Sequence, residues 1–313
     1  MESRKPLTVN KLYHMKQQKT PITVVTAYDY PTARLAEEAG VDLILVGDSL
    51  GNVVLGYDST IPVTLDDIIY HTRAVTRAAR HTFIMADMPF FTYHGSLDKT
   101  LSHVARLMQE GLAHAVKLEG GAEIAETVEA IVRGGVPVVG HLGLTPQSVH
   151  QLSGYRIQGK RAIDAQRFLH DAQALVAAGV CCIVLELMTD ELAGWLTAQL
   201  PVPTIGIGSG PHCDGQVLVF HDMFQYHAEA VPKKFIQTYG HMGEMIRTGF
   251  SRYIQDVKSR AFPGPDHTYH MNEEESAQFR LLNGQLPPAN RTQHIDHSEH
   301  DAHHQKGGDT WKS

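Results

Sequence analysis

Residues 115–143, AVKLEGGAEIAETVEAIVRGGVPVVGHLG, hold one full period of the pattern that decides the fold. A Val-containing run, 115–120, ends in Lys117, Leu118, Glu119 and Gly120. The amphipathic segment 122–134 follows and stops at paired glycines, as helices do. A second Val-rich run, 136–143, then finishes in His141, Leu142 and Gly143. Strand, helix and strand within about thirty residues make a parallel βα unit, because parallel neighbours need a crossover long enough to hold a helix.

The same alternation extends in both directions. Strands are predicted at 22–29, 42–49, 82–89, 181–187, 204–210 and 215–223 as well, and helices at 31–40, 64–80, 96–111, 162–178 and 190–200. Thr64 with Asp67 three residues on reads as a capping box opening its helix. Eight strands over about 250 residues fit a closed barrel better than an open doubly wound sheet. No phosphate-cradling glycine fingerprint follows the first strand. The expected fold class is α/β, a single (βα)8 TIM barrel over residues 1–270. Residues 8–18 form an N-terminal helix across the barrel floor, and 233–262 a long last helix. From residue 271 to 313 the chain turns polar and His-rich, and this tail is expected to be disordered. His294, His297, His300, His303 and His304 read as incidental to a polar tail, with a metal cluster as the sharper alternative.

Composition narrows the function. Of 313 residues 42% are apolar and 19% charged, the balance of a packed soluble domain. A net charge of -7 without clustered Lys and Arg excludes a nucleic-acid binder. No apolar run approaches membrane-spanning length and the start lacks the apolar core of a secretory signal, so the expected location is cytoplasmic, with small-molecule substrates. Cys181, Cys182 and Cys213 lack metal-type spacing and read as core thiols.

In a barrel, catalytic side chains gather at the carboxyl ends of the strands. Strand two ends in Asp48 and Ser49, strand three in Asp87, strand four in Lys117 and Glu119, strand five in His141, and strand six in Glu186; the first strand ends in Tyr28 and Asp29. Taken singly, each is as well explained as a strand-end residue facing water or capping a helix. Taken together, Asp48, Asp87, Glu119 and Glu186 set four carboxylates around one mouth against one lysine. Such charges do not all stay ionised without compensation. All-oxygen ligands favour a hard divalent cation, Mg2+ by default.

These residues sit in ordered motifs: Gly47-Asp48-Ser49-Leu50-Gly51 then Gly56, Ala86-Asp87-Met88-Pro89, Val116-Lys117-Leu118-Glu119-Gly120, Gly140-His141-Leu142-Gly143-Leu144-Thr145-Pro146-Gln147, Leu185-Glu186, and Ile205-Gly206-Ile207-Gly208. In this order they resemble the ketopantoate hydroxymethyltransferase family, over roughly residues 5–270. The resemblance implies a barrel of the phosphoenolpyruvate/pyruvate superfamily, one Mg2+ per subunit and a cytoplasmic homo-oligomer, typically a decamer. It implies transfer of a hydroxymethyl group from 5,10-methylenetetrahydrofolate to 3-methyl-2-oxobutanoate, giving 2-dehydropantoate on the route to pantothenate and coenzyme A. By the same resemblance Asp48 and Asp87 ligate the metal, and Glu119 does so directly or through water. Glu186 is the base at C3, and Asp48, Ser49, Asp87 and Lys117 contact the oxo acid. His141 orients a substrate or water, or is a satisfied core histidine. The loop 153–161, with Arg156, Lys160 and Arg161, reads either as a lid that attracts the anionic folate tail or as an ordinary solvated loop.

Departures from the family pattern fall on the strand-six to strand-eight side. They are Leu187-Met188-Thr189 where a proline is usual, Pro211-His212-Cys213, and Phe224-Gln225 in place of Leu-Gly. Three rival readings follow: another 2-oxo acid lyase or mutase of the superfamily, a Schiff-base aldolase using Lys117, and a catalytically impaired paralogue kept as a binding or scaffold protein.

Overall fold

A computed structural model describes residues 6–227 and 233–284. Eight parallel strands close into a barrel in sequence order, β1 pairing with both β2 and β8. They are β1 Ile22–Thr26, β2 Leu43–Val46, β3 Phe83–Asp87, β4 Ala115–Glu119, β5 Val138–Gly143, β6 Cys182–Glu186, β7 Thr204–Ile207 and β8 Gly215–Leu218. The expected (βα)8 barrel is therefore the observed one. Helix α1, Val9–Gln17, precedes β1; α2, Tyr30–Ala39, and the short α3, Leu50–Val53, follow β1 and β2. Then come α4 Leu65–Ala78, α5 Leu97–Gln109, α6 Ala125–Arg133, α7 Asp164–Ala177, α8 Asp190–Gln199, the short α9 Phe220–Met223, α10 Met242–Ser259 and α11 Glu273–Asn283. The capping box of α4 is present, with Thr64 accepting from Asp67 N and Asp67 accepting from Thr64 N.

Two apolar layers follow from the strand period of two. One side of the strands packs against the surrounding helices. The other fills the barrel with Ile22, Val24, Leu43, Leu45, Phe83, Met85, Ala115, Val139, Cys182, Val184, Ile205 and Val217. Leu12 and Met15 of α1 complete that interior cluster from below. α1 is pinned there by Lys16, whose ammonium donates to Asp214 Oδ2 at 2.8 Å and to Thr197 O at 3.0 Å. The floor is thus sealed and apolar. Cys181 and Cys182 are buried free thiols, and burial pushes the Cys181 thiol up to about 12.

Three expectations meet a different structure. The eighth strand stops at Leu218, the last residue in register with β1, and 220–223 turn into α9 as Phe220 N donates to Thr26 Oγ1. The long last helix starts at Met242 rather than 233. Residues 239–243 are instead tied back to the turn after α9, through Tyr239 N to Met223 O, Met242 N to Phe224 O and Gly243 N to Gln225 O. The polar stretch from 271 begins with a helix, α11, whose N-terminal amide at Glu275 is capped by Asn272 and whose first turn carries three glutamates. The histidines from His294 to His304 lie outside the described residues.

The chain divides into two compact units, one ending at Gly243 and one starting at Glu244. The first holds the whole barrel; the second holds most of α10 and all of α11. Among the described residues no helix is long and apolar enough to cross a membrane.

Candidate active site

Moving up each strand by two residues from the apolar interior layer reaches the site. Met85 leads to Asp87, Ala115 to Lys117 and then Glu119, Val139 to His141, and Val184 to Glu186. Register sets the neighbours: Asp87 pairs with Lys117 and Glu119 with His141. Asp48 arrives differently, from the turn after β2 rather than from a strand. Gly47 permits this turn, because a Cβ there would lie 2.9 Å from Ser49 Oγ and 3.4 Å from Asp87 Oδ2. Asp48, Ser49, Asp87, Lys117, Glu119, His141 and Glu186 all line one cavity of ≈ 610 Å³ at the carboxyl ends of the strands. Asp29 does not join them; its carboxylate caps α2 by accepting from Thr32 N at 2.8 Å.

The charges are deeply buried, with relative exposures of 4% for Asp48, 2% for Asp87, 3% for Lys117 and 4% for Glu119. Burial, then the neighbouring Asp87, pushes the Asp48 carboxyl up to about 7. Burial also raises Glu119 well above the usual carboxylate range, against the pull of Lys117. For Lys117 burial opposes the charge, but Asp87, Glu119 and Asp48 outweigh it and hold the ammonium protonated. Its Nζ lies 3.0 Å from Asp87 Oδ1 and 3.1 Å from His141 Nδ1. An ammonium only donates, so His141 accepts at Nδ1 and carries its proton on Nε2. Burial and Lys117 keep this imidazole neutral. Nε2 is 3.3 Å from Glu186 Oε2, within reach but off the line of a good hydrogen bond. Glu186 is the accessible carboxylate of the set, with 18% of its side chain exposed.

Gln147, which follows β5 in a single 3-10 turn, is the organiser that strand-end reasoning misses. Its Nε2 donates to Asp48 Oδ2 at 2.8 Å and to Met88 O at 2.9 Å, and its backbone N donates to Glu119 Oε2 at 3.0 Å. The hydroxyl of buried Tyr93 donates in turn to Gln147 Oε1 at 2.8 Å. Asp87 Oδ2 accepts from Asp48 N at 2.9 Å, and Tyr28 OH bonds Ser49 Oγ at 2.7 Å. The only local signal for Gln147 is its place directly after a helix-starting proline.

The loop 153–161 is anchored rather than free. Gln158 N donates to Leu187 O at 2.7 Å and Thr189 N to Gln158 O at 3.2 Å, a bond that a proline at 189 would lack. The loop contributes Tyr155 to the cavity wall; Arg156, Lys160 and Arg161 are not among the lining residues, and Arg161 pairs with Asp164 at 2.8 Å.

Among the described residues no group of three or more His, Cys, Asp or Glu side chains has the spacing of a metal site. The donor chemistry nonetheless suits a hard cation held by two carboxylates, which keeps the rest of its shell as water and substrate oxygens. Asp48 and Asp87 are buried, crowded and offset by a single lysine, and Asp87 Oδ1 has no aligned hydrogen-bond partner.

A family model described as ketopantoate hydroxymethyltransferase matches residues 6–265. A 3-methyl-2-oxobutanoate hydroxymethyltransferase of Shouchella clausii is 54% identical over 266 residues, covering 85% of this chain and 95% of that protein. One of Geobacillus kaustophilus is 53% identical over 263 residues, covering 84% and 94%. Among solved structures, 2,3-dimethylmalate lyase, a PEP mutase/isocitrate lyase superfamily member, superposes with a TM-score of 0.53 at 16% identity over 89% of this chain and 96% of that one. Phosphonopyruvate hydrolase in complex with oxalate and Mg++ gives 0.51 at 15% identity, over 88% and 99%. At those identities the two structures speak for the barrel alone. The sequence relationship reaches further: matched from residue 6 to 265 and more than half identical to relatives of nearly the same length, the chain belongs to the ketopantoate hydroxymethyltransferase family.

Proposed function

We propose that the chain catalyses the reaction its relatives are named for, transferring a one-carbon unit from 5,10-methylenetetrahydrofolate to C3 of 3-methyl-2-oxobutanoate. The donor's methylene carbon and one water supply the hydroxymethyl group, and tetrahydrofolate leaves. The observation that carries this reading is the excess of buried carboxylates over cations at the barrel mouth, with Asp48 pushed up to about 7. Such a site is poised for a divalent cation together with a small anion.

Asp48 and Asp87 would hold Mg2+, with Glu119 reaching it through water. The cation would supply Lewis-acid polarisation of the keto group and offset the negative charge that develops there. The chain's own groups do the rest. Glu186, accessible and facing the cavity, takes the proton from C3 at its carboxylate. His141, neutral with its proton on Nε2, faces Glu186 at 3.3 Å and can orient it or a bound substrate. Lys117, Ser49, Asp48 and Asp87 contact the oxo acid, Lys117 bringing positive charge to its carboxylate. Tyr28 fixes the Ser49 hydroxyl, and the sealed apolar floor keeps water out from below.

We take the catalytic body to be residues 1–270 and the working form to be a cytoplasmic homo-oligomer, as the family resemblance implies. Exposed Leu35, Tyr70 and Phe91, at 64%, 73% and 67%, are in keeping with subunit contacts. The decisive assay follows exchange of the C3 hydrogen of the oxo acid in D2O and formation of 2-dehydropantoate once the folate donor is added. Both are expected with Mg2+ and lost with chelator. Exchange that persists in chelator would overturn the metal reading. Trapping of Lys117 by borohydride would favour a Schiff-base aldolase, and absence of exchange a binding protein.

A further inference from the structure

A cavity of ≈ 610 Å³ is of the size that takes a drug-sized ligand, about 300–1,000 Å³, and a five-carbon oxo acid fills little of it. Its lining is also divided by charge. The strand-end region carries Asp48, Asp87, Glu119 and Glu186, whereas the segment after the β8 turn adds Lys233, Lys234 and Phe235. Lys233 is not free: its Nζ donates to Asp222 Oδ2 at 2.9 Å, and His227 Nε2 contacts Asp222 Oδ1 at 3.0 Å. Asp222 is thereby neutralised, and Asp58 is the one further acid of the lining outside the strand-end set. The Lys233 ion pair anchors the chain at the mouth. Phe235 is held by close packing on Gly208, where a Cβ would lie 3.1 Å from the ring. Lys234, exposed between these two anchors, has no ion pair among the described residues. Tyr155 and Phe235 add aromatic surface to the same cavity.

We propose that Lys234, between the Lys233–Asp222 anchor and Phe235, binds the anionic carboxylate tail of the aromatic one-carbon donor at the cavity mouth. This rests on the reaction reading above and places the tail on the β8 side rather than on the charged residues of the loop 153–161. An exposed ammonium attracts a multiply charged tail more than a singly charged one, and the attraction is screened by salt.

The test is calorimetric binding of tetrahydrofolate bearing one or three glutamates to the full chain, at low and moderate ionic strength. The wild type is expected to prefer the triglutamate by about tenfold, a preference that shrinks with salt. Lys234→Gln is expected to reduce it to about twofold or less, and Lys234→Arg to retain it. The proposal is overturned if Lys234→Gln keeps the wild-type preference, or if Arg156→Gln and Lys160→Gln abolish it instead. C3 exchange without donor separates the two levels of the argument. Exchange by a wild type that binds donor with no tail preference leaves the reaction standing and removes Lys234. A wild type that neither exchanges nor binds donor removes both.

Discussion

Replacing Asp48 by Asn should stabilise the metal-free protein, and do so only where the aspartate would be ionised. The side chain is 4% exposed, and its carboxyl is moved from 3.8 to about 7. At 1.4 kcal/mol per factor of ten, that displacement costs the folded state about 4 kcal/mol when the group is fully charged. The folded state holds this proton more tightly than the unfolded chain. The cost is therefore absent below about pH 4, grows as pH rises towards 7, and is constant above. Asn carries no such cost and still offers Gln147 an oxygen to donate to. Urea unfolding in chelator, followed by circular dichroism, should show Asp48→Asn more stable than wild type by about 2–4 kcal/mol at pH 8, and by less than half of that at pH 5. In thermal scans the pH 8 difference corresponds to a rise on the order of 5–10 °C for a domain of this size. Added Mg2+ should raise the wild-type midpoint and leave that of the variant in place. An advantage equal at pH 5 and pH 8, or a wild type more stable at pH 8, would refute the idea that Asp48 is held in an uncompensated acidic cluster.

Glu186→Gln should lower C3 exchange by about a thousandfold, the range lost with a general base, while oxo-acid binding in Mg2+ persists; exchange at the wild-type rate would remove Glu186 from that role. Gln147→Leu should destabilise the barrel by about 2–4 kcal/mol, because it strips partners from Asp48, Met88 O and Tyr93 at once. A denaturation midpoint matching the wild type would contradict the bridging role. Leu12→Ala, which opens a void under the sealed floor, should cost about 2–5 kcal/mol by the same measurement, and a change under 1 kcal/mol would mean that α1 is not part of the core.

Much of this architecture was legible in the chain. Strand parity alone links Met85 to Asp87, Lys117 to Glu119 and Val184 to Glu186, so one repeated period locates both the interior and the mouth above it. What escaped the sequence has no period. Gln147 comes from a single 3-10 turn, and Asp48, legible as a site residue, projects not from a strand end but from a turn that depends on the missing side chain of Gly47. Tyr93, the partner of Gln147, lies in the irregular segment before α5. Residues 233–241 carry apolar spacing that reads as helix, yet the chain from Tyr239 to Gly243 is tied to Met223, Phe224 and Gln225 by bonds that no local pattern encodes.

The sealed floor and the charged mouth are consequences of each other. Leu12, Met15 and the interior strand residues exclude water from one end of the barrel, so the groups directly above them sit in a medium that strengthens every electrostatic interaction. Lys117 survives there as a cation because three carboxylates surround it, and those carboxylates in turn exceed what one ammonium offsets. A lone oxo-acid anion entering that site would worsen the imbalance. On the proposed reading positive charge arrives with it, and the crowding of Asp48 against Asp87 favours that arrival.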